Sequence, residues 1–426
     1  VQQLAPVFAP SSRADSGRID AELASALKRE AKAFREDGDI ADARAGGAPI
    51  VADYSVPYLA HACLEPMTAT VRIGDAGAEV WAPTQSATLV RYAVSRALDL
   101  DGDRVTVYPT LLGGGFGRKA EVDACVQAAL IAREAKAPVQ LIFARSEDMG
   151  QDKFRPAARA RMTGRIGADK RIALWDAVIA VPPIMPSMMK RIMPSMAGEV
   201  GPDASALEGA TELPYAAGAV RVAHAPADLP VPIGYWRSVG HSYTAFFNEC
   251  FIDELAQTAG IDPLTFRLRM LDAHPRHAEV LKLAASRGGY VPGGSDGVAR
   301  GLAVHESFGS IVAHCVEVDM GGDSGLRVRK VTSSIDCGRV INPDIVRQQI
   351  EGSIIFALTA ALDGRITFKG GMAEQMNFDS YPLLPLRETP EIAVHIVPSR
   401  AASGGVGEPG VPPLAPALAN AVFAAT

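Results

Sequence analysis

Glu408, in S-G-G-V-G-E-P-G-V-P-P-L-A-P-A-L, is a lone acid set among glycines, and that setting suits proton transfer. Gly404, Gly405, Gly407 and Gly410 open backbone conformations closed to other residues and let the chain approach a bound group closely. Pro412 and Pro413 suit the first turn of a helix, and Leu414, Leu418 and Val422 give that helix an apolar stripe. Glu408 is therefore expected just ahead of a helix N-terminus, where unpaired N–H groups favour a carboxylate and hence a base. Plain helix capping accounts for the same local pattern and is the commoner case.

Two further loops carry chemistry. L-L-G-G-G-F-G-R-K, residues 111–119, follows the strand-like R-V-T-V-Y-P-T and precedes a helix marked by Val122, Cys125, Val126, Ala129 and Leu130. Strand, glycine turn and helix together cradle anions, because backbone N–H groups converge there. A Walker loop fails, since Arg118 stands where its second glycine belongs. A dinucleotide fingerprint fits loosely as Gly115-x-Gly117-x-x-Ala120, with Glu147 ending the next strand, and predicts a nicotinamide dehydrogenase; a tight βα turn reads the same way. The loop V-P-I-G-Y-W-R-S-V-G-H-S, residues 231–242, gathers Tyr235, Trp236, Arg237 and His241 before a helix. That composition suits a binding site, although an arginine stacked on tryptophan explains part of it.

The elements that must position these loops alternate along the chain. Residues 1–50 read as the remnant or linker of an N-terminal domain, with one helix placing Leu23, Leu27, Ala31 and Phe34 on a face. Residues 51–185 read as a first subdomain that opens with strands, including a hairpin ending at Gln85. Residues 186–230 read as a connecting loop, and the methionine-rich stretch from Pro183 to Met196 as an apolar crossing. Residues 231–426 form a second subdomain, with a helix from Pro343 whose Gln349 and Glu351 need partners if buried. His274 and His277 lack a third ligand and read as surface histidines.

Composition bounds the function classes. With 48% hydrophobic and 21% charged residues the chain buries a large core in two or three domains. A net charge of −6 disfavours nucleic acid and anionic membrane as partners. The five cysteines, Cys63, Cys125, Cys250, Cys315 and Cys337, are scattered with no C-x-x-C pair, which indicates neither disulfide framework nor cysteine metal site. No apolar run is long enough to span a bilayer, and the non-methionine start lacks a signal-peptide pattern, so an N-terminal portion is expected to be missing. That leaves the compartment undetermined.

W-A-P-T-Q (residues 81–85), G-G-G-F-G-R-K, G-Y-W-R-S-V-G-H-S and G-G-V-G-E-P-G-V-P-P-L-A-P-A-L-A-N-A, in this order, resemble the molybdenum-binding subunit of the xanthine dehydrogenase and aldehyde oxidase family. Y-L-A-H-A-C-L-E-P-M and D-C-G-R-V-I-N-P-D-I-V-R-Q-Q-I-E-G add to the likeness, which runs from about Tyr54 to the end and is most similar to the isoquinoline 1-oxidoreductase branch. The resemblance implies an α+β fold of two mixed subdomains with the cofactor site between them. It implies molybdenum held by a molybdopterin, in the cytosine dinucleotide form, rather than by side chains. The implied reaction is hydroxylation of an N-heteroaromatic or an aldehyde with oxygen from water, Glu408 being the base for the metal-bound hydroxide. Gln85 and the backbone of Gly114, Gly115, Phe116 and Gly117 would line the metal, Gln349 would hold the pterin, and Gly405, Gly407 and Arg237 would complete the cofactor contacts. Arg237 matches an arginine that orients substrate in some relatives. Tyr235, Trp236 and His241 would line the substrate pocket. The implied partners are a small [2Fe-2S] subunit and either a cytochrome c subunit or the missing N-terminal part; a cofactor-free scaffold is the non-enzyme alternative. Ala120 stands where many members carry a glutamate, and no G-Q-G loop of the isoquinoline-type branch occurs.

Overall fold

The computed structural model describes residues 14–194, 202–292, 298–321 and 325–426. Helix α1 (Ser16–Ala26) is capped by the Asp15 carboxylate, which accepts the Gly17 N–H at 3.0 Å. Strand β1 (Lys32–Asp37) and the short helix α2 (Ile40–Ala45) follow. The expected single helix through Phe34 therefore stops at Ala26. Ala31 and Phe34 instead pack from the β1 segment against the main core, because sheet pairing overrides local periodicity.

Next come β2 (Ile50–Val56), the hairpin of β3 (Thr68–Gly74) and β4 (Gly77–Ala82), α3 (Ala87–Leu98) and β5 (Val105–Pro109). Helix α4 (Asp123–Ala135), β6 (Val139–Ile142) and α5 (Arg145–Gly150) complete this unit. The sheet order is β5-β4-β3-β6, so the strands flanking the glycine turn lie at opposite edges. Burial alternates along β4, and its inner residues Ala78, Val80 and Ala82 pack with Val90 and Val94 of α3 and Cys125 and Ala129 of α4.

The larger sheet is made by β7 (Ala158–Ile166), β8 (Ile172–Val181) and β9 (Ala217–Pro226), with α6 (Ile184–Ile192) between the last two. Its order is β1-β9-β8-β7-β2. The stretch expected to be a connecting loop thus contains a helix and an inner strand. Residues before position 51 contribute the edge strand β1 to this sheet. Helix α7 (His241–Ala259) lies across this sheet, with Phe251 meeting Trp175 edge to face at 5.3 Å. Gly164 is required there, since a Cβ would meet the Phe251 ring at 2.9 Å.

Helices α8 (Pro263–Met270) and α9 (Pro275–Arg287) lead to β10 (Ala299–Ser307), β11 (Ser310–Asp319) and β12 (Arg327–Asp336). Helix α10 (Pro343–Leu362), the ribbon of β13 (Phe368–Lys369) and β14 (Met372–Ala373), strand β15 (Glu391–Ile396) and helix α11 (Leu414–Ala425) end the chain. The third sheet, β10-β11-β12-β15, packs with α10 and α11 around Val316, Val331, Ile350 and Leu414. Gly301 lets α11 close on β10, because a Cβ would meet the Ala421 nitrogen and the Asn420 carbon.

Candidate functional site

The loop at residues 113–118 is held open by its own chemistry. Gly114 and Gly117 have φ of 96° and 105°, and Phe116, which has a Cβ, is forced to φ 53°. A Cβ on Gly117 would collide with the Tyr235 carbonyl oxygen, so this glycine lets the second loop dock. Gln85 is placed by the next turn: its N–H donates to the Lys119 carbonyl at 2.9 Å, and its Oε1 accepts the Gly117 N–H at 3.1 Å. The amide NH2 of Gln85 is then the part turned to donate. Lys119, fully buried, is anchored by the Glu65 carboxylate.

Beneath this loop lies a buried charge network. Asp152 accepts the His61 backbone N–H at 2.7 Å and faces His61 Nδ1 at 2.9 Å, while His61 Nε2 meets the Tyr235 carbonyl at 2.9 Å. Arg118 Nε lies 3.2 Å from Asp152, and its other nitrogens grip Asp123 at 2.9 and 3.0 Å. Although burial opposes ionisation, His61 and Arg118 together hold the Asp152 carboxyl down at about 2. Histidine and arginine thereby tie the two loops to one buried anion.

Arg237 joins the second loop to the C-terminal half. Its Nε donates to the Gly407 carbonyl at 2.8 Å and its Nη2 to Gln349 Oε1 at 3.2 Å. The guanidinium faces the rings of Phe116 and Phe356 at 5.9 and 5.5 Å. Burial pulls its pKa down to about 10 against the attraction of Glu408, so it stays a cation at neutral pH. Glu408 accepts the Ser238 N–H on Oε1 at 2.9 Å, and its carbonyl accepts the Ser238 hydroxyl at 2.9 Å. The carboxylate thus sits on the turn entering α7. Its own helix, α11, begins only at Leu414, which corrects the expected reason for its placement. Ser238 and Val239 hold φ of 82° and 46°, strain that persists where surrounding bonds over-determine the backbone.

A cavity of about 530 Å3 opens between the halves. Gly113, Gly114 and Phe116 form one wall, and Gln349, Gly352, Phe356 and Ala360, on one face of α10, form the other. Trp236 and Arg237 close it, and Phe356 stacks 4.7 Å from both Phe116 and Trp236.

Not every expected residue reaches this cavity. His241 is buried with Nδ1 2.9 Å from His305 Nε2, and burial pulls it down to about 4. Tyr235 presents its carbonyl to Gly117 and His61, while its hydroxyl meets Met185 Sδ at 3.0 Å. Gly405 is tied by its N–H to the Phe308 carbonyl at 2.8 Å, in the turn between β10 and β11. Glu351 is exposed, so the need for a buried partner does not arise, and His277 is buried against Glu306 at 3.1 Å rather than at the surface. Glu147 lies on α5, not at a strand end, and β5 and β6 are not neighbours, so the dinucleotide reading lacks its βαβ unit.

Sequence reasoning missed four residues. His61 and Glu65 stood within a quoted motif but received no role; Asp152 had no local signal at all. Glu208 is the fourth. Its Oε2 is buried without a partner, and the Gly240 N–H points at the carboxyl from the same turn that holds Glu408. Burial, with Glu212, Asp203 and Glu408 nearby, pushes it up to about 7.

Among the described residues, no three of His, Cys, Asp and Glu gather to hold a metal ion. A cofactor that carries its own metal needs no such cluster. The apolar cavity lined by Gly113, Gly114, Gln349 and Arg237 fits such a group, with Gln85, Gly117 and Glu408 beside it rather than on its lining.

Two family models match the chain, each a molybdopterin cofactor-binding domain, over residues 26–181 and 285–390. The chain is 31% identical over 364 residues to isoquinoline 1-oxidoreductase subunit beta of Brevundimonas diminuta, covering 84% of this chain and 46% of that protein. It is 30% identical over 416 residues to a membrane-bound aldehyde dehydrogenase (pyrroloquinoline-quinone) of Gluconacetobacter polyoxogenes, covering 92% and 53%. Among solved structures, quinoline 2-oxidoreductase from Pseudomonas putida 86 superposes with a TM-score of 0.76 at 14% identity, over 93% of this chain and 76% of that one. The expected α+β fold of the family is therefore the fold observed. The chain spans about half the length of these curated relatives.

Proposed function

From a chain that belongs to the molybdenum hydroxylase family, through its molybdopterin cofactor-binding domains, we propose the cofactor-bearing part of an oxidoreductase that hydroxylates an N-heteroaromatic compound or an aldehyde. The single observation carrying this reading is that Glu408, Arg237 and Gln349, far apart in sequence, meet beside the Gly113–Gly117 cradle. When bound, the pterin-held molybdenum would supply a water-derived oxygen and a two-electron sink.

The chain's own residues do the rest. Glu408 Oε1 is fixed by the Ser238 N–H, which leaves Oε2 to take the proton from the attacking oxygen. Gln85, through its amide NH2, and Gln349 and Arg237 would hold the cofactor, with Gly114, Gly115, Phe116 and Gly117 giving it room. Gly405 and Gly407 keep the Glu408 loop against its neighbours, the first through Phe308 and the second through Arg237. Trp236 and Phe356, stacked at 4.7 Å, give the cavity an apolar wall. The cytosine dinucleotide form rests on the family resemblance alone.

The five thiols are free and buried, and their scatter in sequence supports an electron acceptor on another chain. We assign that role to a small [2Fe-2S] subunit. The test is purification of the native complex, molybdenum and iron analysis, and turnover on isoquinoline, nicotinate and benzaldehyde. Glu408→Gln is expected to keep the metal content and abolish turnover. Retained turnover removes Glu408 from the base role. Bound NAD without molybdenum would restore the dehydrogenase reading, and neither cofactor would leave the scaffold.

A further inference from the structure

A second cavity, about 410 Å3, shares Trp236 and Ala360 with the first but opens between β2, α10 and α11. Its walls are apolar, with Val56, Phe246, Leu362, Val411, Leu418 and Val422 prominent. One charged residue lines it. Arg155 is 5% exposed, and its guanidinium lies 5.7 Å from the Trp236 ring.

Arg155 is poorly satisfied there. Nη2 donates to the Pro57 carbonyl at 2.7 Å, whereas Nε is buried without an acceptor. No carboxylate bears on the group; the titratable side chains that do are the hydroxyls of Tyr381 and Tyr243. Burial consequently pulls its pKa down to about 10, which still leaves a cation at neutral pH. Two other deeply buried arginines have acids, Arg118 with Asp123 and Asp152 and Arg267 of α8 with Glu249 and Asp253 of α7, whereas buried Arg165, like Arg155, donates to a backbone carbonyl. A buried cation without a counter-ion is an unfavourable arrangement that an anion in the adjoining space relieves.

We propose that this second cavity binds a small apolar monocarboxylate, its carboxylate on the Arg155 guanidinium and its hydrocarbon body against Trp236, Phe246 and α11. Planar guanidinium and carboxylate pair through parallel hydrogen bonds, and a lining without other charges selects an apolar remainder. The Trp236 ring, with its centroid 5.7 Å from the guanidinium carbon, offers a π face beside the pair. The inference does not rest on the reaction assigned above, and its test requires no turnover.

Calorimetric titration of the full-length holoenzyme complex with hexanoate and benzoate, and in parallel with 1-hexanol and benzyl alcohol, is the experiment. The carboxylates are expected to bind about tenfold more tightly than the alcohols, since the difference is a charged hydrogen-bonded pair. Arg155→Met should remove that tenfold preference. Because losing Arg155 also frees the Pro57 carbonyl, a second variant guards against misfolding: Ala419→Phe, on the half-exposed face of α11, fills the cavity and leaves Arg155 in place. It should abolish carboxylate binding with thermal melting unchanged. Equal binding of acids and alcohols, binding untouched by either variant, or no binding at all because the rest of the full-length chain fills the space, would overturn the proposal.

Discussion

Two carboxyl groups share one turn at the site, and their surroundings differ. Glu408 has a backbone donor and the Arg237 cation nearby; Glu208 has an orphaned oxygen and three acidic neighbours. The consequence for stability follows from the direction of the Glu208 shift. The unfolded chain releases this proton near 4.5, whereas the folded chain keeps it up to about 7. Folding is therefore weakened progressively as pH rises from 4.5 to 7, and the deficit stays constant above that. Glu208→Gln should melt higher than the parent at pH 8 and equally with it at pH 4, a gain of about 1 kcal/mol once partial exposure is discounted. Thermal unfolding across that range checks it; a gap that is larger at pH 4 would reverse the assignment.

The glycine turn is an element whose job is to let another element in. Gly117 sits at φ 105° with the Tyr235 carbonyl where a side chain would be. Gly117→Ala should cost roughly 1–3 kcal/mol in backbone strain alone, before the collision is counted. It should also release Gln85 and lower cofactor retention, read by metal content per chain, while far-ultraviolet circular dichroism stays unchanged. His61 acts on the same pair of loops from below, bonded to Asp152 and to the Tyr235 carbonyl. Replacing it with Leu leaves Asp152 short of a partner in a buried place and should destabilise the chain more than Gly117→Ala does, in denaturant unfolding. The ordering of those two variants tests whether the clamp or the cradle bears the greater strain.

At the scale of the whole molecule, buried charges add to the apolar packing where the sheets and helices join. Arg267 on α8 bonds Glu249 and Asp253 of α7, and Glu249 also accepts the Val304 N–H of β10 at 3.0 Å. Arg267→Met strands two buried carboxylates and should cost about 3–5 kcal/mol, measured by denaturant unfolding of the full chain. A loss within 1 kcal/mol would mean that water reaches the pair. By itself the sequence determined the local conformations: the β3–β4 hairpin, the Pro343 helix and the glycine turn all follow from periodicity and turn residues acting over a few residues. The motifs also determined the family, and with it the neighbourhood of Glu408, Arg237 and Gln349. Tertiary structure alone decided that Phe34 enters a strand, that His241 turns to His305, and which turn holds the Glu408 carboxylate. Those outcomes depend on partners far away in the chain, 64 residues for His241 and 170 for Glu408, as do the isolation of Arg155 and the pairing of His61 with Asp152. Burial and the pairing of charge are properties of the assembled space, and no window of sequence contains them.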